Sequence, residues 1–320
     1  MAQINSVKSF LILQCTKKAG ESVKQGFIKE SVGSKIFDKV NLVLMIGFAS
    51  IMLFPFLNII ALSLNDGVDA ARGGIYLWPR EFSLDSYKVL FQNEDLLKGF
   101  GISILRVVVG TVTGVLCTGL LAYIVSVKHF SGRKFMRLLF VFTMFFSGGL
   151  IPTYLLFMKL GLSNTFTVYW LPALFSPFFM LLMASYIQNL PDSIFESARM
   201  DGCSELRIYF QILIPMSIPV FAAIAVFSAV GHWNSWFDVL IYNPSGEWDT
   251  LQVYLRRLLL EVEAIQQVQD LQLAYSKYRN ISPITLRAAT TVLVTLPIIF
   301  VYPFAQKYFV GGITLGSVKE

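Results

Sequence analysis

Residues Leu190–Pro215, LPDSIFESARMDGCSELRIYFQILIP, form a polar island between two strongly apolar segments. Pro191 and Ser193 suit a helix start, and Ser193 with Glu196 three residues later has the spacing of a capping box. Gly202 is the residue to end that short helix in a left-handed turn. Ser204 and Glu205 then predict a second helix, which runs into apolar sequence past Ile208. Two short helices at the end of apolar segments make a rigid knob for a partner. If the flanks are membrane spans, the class of the fold is decided.

Composition says that they are. Of 320 residues, 55% are hydrophobic, 14% are charged and 28 are Phe, and the mean hydropathy is +0.63. A soluble domain of this size needs far more charge to cover its surface. The net charge of +6 is not arranged as a basic stripe interleaved with stacking aromatics, which argues against nucleic acid. Cys15, Cys117 and Cys203 are odd in number and widely spaced, suggesting neither a disulfide framework nor a metal cluster. FLILQC near the start is too short for the apolar region of a secretory signal.

Hydropathy predicts an all-α membrane protein with six spans. Residues 1–39 are a basic tail with seven Lys and no Arg, expected in the cytoplasm. Val40–Leu62 is the first span, and at about 1.5 Å per residue it can cross roughly 30 Å of hydrocarbon. The rest of 40–98 is a turn-rich external loop, and 99–308 is the core. Within the core, spans are expected at about 100–127, 138–157, 165–187, 209–230 and 288–305. The fourth is broken by Pro172 and Pro177, and the fifth carries Pro215 and Pro219 in its first half. The polar island, residues 189–215, joins the fourth and fifth spans in the cytoplasm. Residues 238–286 form an external loop, in which Leu251, Tyr254, Leu258 and Leu259 predict an amphipathic helix with its apolar face on a partner protein or companion domain rather than lipid. Residues 309–320 are a cytoplasmic tail. This placement puts 15 Lys and Arg inside and 10 outside, with Arg106 left in the membrane, a bias of the expected sign.

Two features inside the spans invite a function. Arg106 is a functional candidate by its position in a membrane, although two turns from the outer end it can also snorkel to the headgroups. GHWNSWFD, residues 231–238, gathers Trp233, Asn234 and Trp236. The indoles can anchor at the headgroups, or stack on sugar rings while the amide bonds hydroxyls. No stretch matches GxxxxGK[ST], and His129 and His232 lack a carboxylate or Cys at ligand spacing. A Ser/His/Asp constellation is equally absent, so no catalytic or metal-binding apparatus is expected.

The island also carries a resemblance. Glu196, Ser197 and Ala198, three residues, Gly202, nine residues, then Ile212, Ile214 and Pro215 keep every spacing of the signature loop of ABC importer permeases, Glu-Ala-Ala…Gly…Ile-x-Leu-Pro. Ser197 and Ile214 depart from it by small steps. With GHWNSWFDVLIY, LRAATTVLVTLPIIFVYPFAQKYFVGGITLGSVKE and the long loop between them, the chain over roughly 40–320 resembles the smaller permease of carbohydrate importers. It is similar to the maltose-permease type, in the branch of lipo-oligosaccharide and polygalacturonan-oligosaccharide permeases. The resemblance implies a bacterial plasma-membrane permease with both termini cytoplasmic. It also implies a heterodimer with a second permease, two cytoplasmic ATPase subunits, an extracellular solute-binding protein and an oligosaccharide substrate. ATP and Mg²⁺ would be bound by the ATPases, leaving no cofactor in this chain. Glu196, Ser197, Ala198, Arg199, Asp201 and Gly202 would form the contact with the ATPase, Glu196 as charge partner and Ala198 and Gly202 allowing close approach. Trp233, Asn234 and Trp236 are the expected substrate-pathway residues.

The alternatives are an ion-coupled secondary carrier for a small solute and a membrane enzyme. A carrier of that kind expects ionisable residues near the midplane and often an internal repeat, and neither is evident. A membrane enzyme expects clustered His, Asp or Cys.

Overall fold

The computed structural model describes residues 32–267 and 282–312. The expectations for the N-terminal tail up to residue 31 with Cys15, for residues 268–281 of the external loop and for the tail 313–320 lie outside the described residues. Among the described residues the architecture is helical, with one isolated antiparallel bridge between Asn65 and Phe82. Three helices are long and apolar enough to cross a membrane, and three bent pairs pass the same test of length and composition. Six spans result when each pair counts as one.

The chain divides into two units, residues 1–56 and 57–320. Helix α1 (Val32–Ser63) supplies the described part of the first and continues into the second. It is apolar on all sides, so nothing in its own pattern selects a core-facing stripe. Its side chains from Gly33 to Leu57 are exposed.

After α1 comes a short polar loop. Asp66 caps α2 (Gly67–Ala71) by accepting from the Val68 and Asp69 amides. Asn65 donates to buried Asp69, which also pairs with Arg80 at 3.1 Å. Helix α3 (Asp85–Gln92) follows, and its Tyr87 hydroxyl donates to Ser63 at the end of α1.

Helix α4 (Glu94–Ser126) is the central span. Asn93 caps it, and Glu94 and Asp95 occupy the first turn, where carboxylates favour the positive end of the helix. Small residues let other helices close on it, as packing inside a membrane requires. A side chain on Gly110 would overlap the His232 ring, and one on Gly119 would overlap Phe221 and the Tyr209 hydroxyl.

The third span does not cross as one rod. Helices α5 (Arg133–Phe145) and α6 (Leu150–Lys159) meet at 116°. The break falls at the Ser147-Gly148-Gly149 run, where Gly149 takes φ +88°, a conformation other residues rarely adopt. In the fourth span, two 3₁₀ turns (Phe166–Tyr169 and Leu171–Ala173) precede α7 (Pro177–Ile187) at 44°, breaking it as the prolines predict. Thr118 of α4 holds that break, donating to the Leu174 carbonyl and accepting from the Ser176 amide.

Next come α8 (Asp192–Met200) and α9 (Glu205–Ile208) of the signature loop, a π turn (Tyr209–Leu213) and α10 (Ile214–Met216). The fifth span is bent, and its longer arm is α11 (Ile218–Asn234). The apolar residues 209–216 lie with α9 in a segment set at 88° to α11 across Ser217. Pro219, in the first turn of α11, needs no amide partner there.

Helices α12 (Phe237–Tyr242), α13 (Leu251–Gln267) and α14 (Pro283–Gly312) complete the described chain. The amphipathic helix expected in the external loop is α13. Its apolar face finds protein within this chain: Leu251 and Leu258 pack with Leu90, Leu96, Leu286 and Ala289 in a buried cluster. A second cluster lies at the signature-loop end, where Val125, Met180, Met183, Ile208 and Leu213 are fully enclosed.

Candidate functional site

The signature loop is built much as its sequence predicts. Helix α8 ends in a Schellman arrangement: the Gly202 amide bonds the Arg199 carbonyl at 3.0 Å, and the Cys203 amide bonds Ala198 at 3.0 Å. Gly202 takes φ +79°, with open space where a side chain would stand. Its requirement within this chain is therefore backbone conformation. Ser204 caps α9 as expected, its hydroxyl accepting from the Arg207 amide. The Ser193–Glu196 capping box does not form. Pro191 takes the cap position, which moves Ser193 into the first turn.

One face of α8 is buried and one is not. Phe195 and Ala198 enter the core cluster, with Phe195 beside Tyr123 of α4. Ala198, 7% exposed, packs its methyl group inside this chain. Ser193, Glu196, Ser197, Met200 and Asp201 stand exposed, Met200 at 88%. Arg199 works inward: its Nε donates to Glu205 at 2.8 Å, and its Nη2 reaches the Tyr123 hydroxyl at 3.3 Å. The same hydroxyl donates to Glu205 in a short hydrogen bond. Three residues from α4, α8 and α9 therefore lock the loop to the central span.

A cavity of about 670 Å³ lies between α4, the broken fourth span and α11. Phe157, Tyr169, Phe175, Phe179, Phe227 and Tyr242 supply aromatic wall, and Thr118, Ser176, Ser228 and Ser235 supply hydroxyls. At one end stands Arg106, 3% exposed. It does not snorkel: both terminal nitrogens donate to the carboxylate of Asp238 on α12, and its guanidinium lies 4.8 Å from the Tyr169 ring centroid. An internal counter-ion holds the charge, as burial in hydrocarbon demands. Ser235 also donates to Asp238, while Arg106 Nε has no partner. His232 lies nearby on the same wall.

None of the three residues expected in the pathway lines this cavity. Trp233 is buried on the far face of α11, its indole N–H donating to the Val294 carbonyl of α14 at 3.0 Å. Asn234 is exposed and accepts from Gln252. Trp236 packs against a buried cluster of Val168, Tyr169, Val239, Tyr242 and Val253 and carries Arg256 4.0 Å over its ring. The residues of that stretch that line the cavity are Gly231, His232, Ser235 and Asp238. A buried arginine in search of a counter-ion was the available signal for Asp238, but the two lie 132 residues apart. Among the described residues, no group of three or more His, Cys, Asp or Glu could hold a metal.

Residues 110–314 match the family described as "Binding-protein-dependent transport system inner membrane component". Protein LplC of Bacillus subtilis is 38% identical over 287 residues, 89% of this chain and 95% of that protein. The polygalacturonan/rhamnogalacturonan transport system permease protein YtcP of the same organism is 36% identical, covering 89% of this chain and 99% of the relative. Among solved structures, a chain of a bacterial ABC transporter involved in the import of the acidic polysaccharide alginate superposes with a TM-score of 0.80. It is 29% identical over 88% of this chain and 99% of that one.

Proposed function

This chain belongs to the family of binding-protein-dependent transport system inner membrane components, and on that premise we propose that it is a membrane subunit of an ATP-driven oligosaccharide importer. It is a permease and not an enzyme. The observation that carries the reading is the signature loop, closed by a Schellman turn at Gly202 and bolted to α4 through Arg199, Glu205 and Tyr123. A chain with no phosphate-cradling loop takes its energy mechanically, through a stiff surface element that a partner ATPase can push.

In this reading a second permease completes the bundle, two ATPases hold ATP and Mg²⁺, and an extracellular binding protein delivers the sugar. Glu196, Ser197 and Asp201 offer the exposed contact to the ATPase, while Ala198, Arg199 and Gly202 shape the loop. The loop and both termini lie in the cytoplasm, which the Lys and Arg bias supports. An aromatic wall with spaced hydroxyls suits pyranose rings, and the transport names of the relatives point to oligosaccharides. We assign the sugar pathway to this cavity, with Trp233 and Trp236 bracing its frame and Asn234 outside it.

The Arg106–Asp238 pair is a feature an ion-coupled carrier would share, but here each charge is spent on the other. Reconstitution separates the two readings. The assembled complex in proteoliposomes should take up labelled oligosaccharide only with internal ATP and added binding protein. Uptake driven by an ion gradient through this chain alone would overturn the proposal.

A further inference from the structure

A second hollow, about 420 Å³, opens beside the signature loop, between the segment following α4, the start of α5 and one face of α8. Two apolar helices end at its wall, the long α4 at Ser126 and α7, the second half of the broken fourth span, at Ile187. It therefore sits where the spans meet water. Lys128 is paired with Asp192, and Arg199 is committed to Glu205. Arg137 reaches the Val125 carbonyl at 3.4 Å. Among the described residues, Arg133, Lys134 and Arg137 have no carboxylate within ion-pair distance, against the one unpaired carboxylate of Glu196 in the same wall. The hollow is thus short of negative charge.

We propose that this hollow binds the phosphodiester headgroup of an anionic phospholipid. The apolar surface rising from it identifies the ligand as a lipid. Leu138 and Phe142 of α5 follow Lys134 at successive turns of the helix with their side chains exposed. They offer a bed for acyl chains above a phosphate site, whereas a soluble anion has no use for that surface. Clustered juxtamembrane cations attract anionic headgroups in this way. The bound headgroup neutralises the flank of α5 and, through the face of α8 that lines the same hollow, braces the signature loop. The inference needs only the membrane placement and not the identity of the sugar.

Native mass spectrometry of the assembled transporter from nanodiscs of phosphatidylglycerol and phosphatidylcholine tests it. The wild-type complex should retain phosphatidylglycerol in discrete stoichiometry after partial delipidation. The double variant Arg133→Gln/Lys134→Gln should retain about tenfold less. Removing the same charge from α1, as Lys35→Gln/Lys39→Gln, should leave retention unchanged. ATPase activity in pure phosphatidylcholine, equal in all three proteins, reports that each is folded. Equal retention by wild type and the hollow variant, or an equal loss in the α1 variant, overturns the site. Displacement of the lipid by millimolar inorganic phosphate would show a soluble-anion site and overturn the lipid assignment.

Discussion

Arg199 and Glu205 stand on opposite sides of the left-handed turn at Gly202 and pair across it at 2.8 Å, so the signature loop is closed by its own side chains. Glu205 also accepts from the Tyr123 hydroxyl of α4. A load applied to α8 is thereby shared with the central span.

Breaking that closure should cost coupling more than stability. Arg199 and Glu205 are partly exposed, and such pairs contribute only about 0.2–1 kcal/mol. In Arg199→Ala the complex should assemble at normal level with a melting temperature lowered by about 2 °C or less. Transport per ATP hydrolysed should fall about fivefold or more, the scale of a modest coupling free energy. Wild-type stoichiometry of transport to hydrolysis would refute this role.

Gly202 tests conformation against space. With φ +79° and nothing near its Cα hydrogen, Gly202→Ala should destabilise the loop by about 1 kcal/mol through backbone strain alone. Gly202→Asn, which tolerates that conformation better, should retain most coupling. If Asn abolishes coupling at full stability, the glycine is needed for contact with the ATPase instead.

The membrane-buried pair predicts a rescue. Asp238→Asn leaves Arg106 buried without a counter-ion, at a cost of about 3–5 kcal/mol. The membrane level of the variant should fall sharply. The double variant Arg106→Met/Asp238→Leu removes both charges and should recover much of it. Quantitative blotting of membrane fractions decides the matter, and no recovery in the double variant argues that the charges act separately.

Trp233 and Phe227 should part company. Trp233→Phe gives up the hydrogen bond to Val294 and should lower stability by about 1 kcal/mol, leaving the half-saturating sugar concentration unchanged. Phe227→Ala removes an aromatic face from the cavity and should raise that concentration about three- to tenfold. The reverse pattern would return the pathway to the tryptophan side of α11.

Acid should loosen the loop after α1. The Asn65 amide, with Arg80 beside it, holds the Asp69 carboxyl below the usual carboxylate range. A lowered value means that its stabilising contribution is complete above the ordinary carboxylate pKa of about 4 and is lost as pH falls through the lowered value. Melting curves in detergent should show wild type and Asp69→Asn converging toward low pH. A constant difference down to the lowest pH would count against the carboxylate.

What could be read in the sequence was local. The turn at Gly202, the cap at Ser204, the breaks at Pro172 and Pro177 and helix α13 follow from residues within a few positions of one another. The capping box failed because Pro191 competes for the same boundary and takes the cap position. Hydropathy draws the fifth span as one straight run, since apolarity carries no direction, whereas residues 209–216 stand at an angle to α11 with Tyr209 and Leu213 in the core cluster. The counter-ion of Arg106 and the orientation of Trp233 depend on which faces of α4, α11 and α12 meet. A single chain read in order contains no such information.

The right angle at Ser217 makes a bell crank of the segment on either side. One arm, residues 205–216, is about 18 Å long, and the other, α11, is about 25 Å at 1.5 Å per residue. If the two arms turn together about Ser217, whose side chain is fully enclosed, a push on the short arm swings the far end of α11 about 1.4 times as far by those lengths. That far end carries Ser228, Gly231 and His232. Such a joint rotation turns small travel of the short arm into larger travel at the wall of the cavity, in a ratio fixed by where the chain bends.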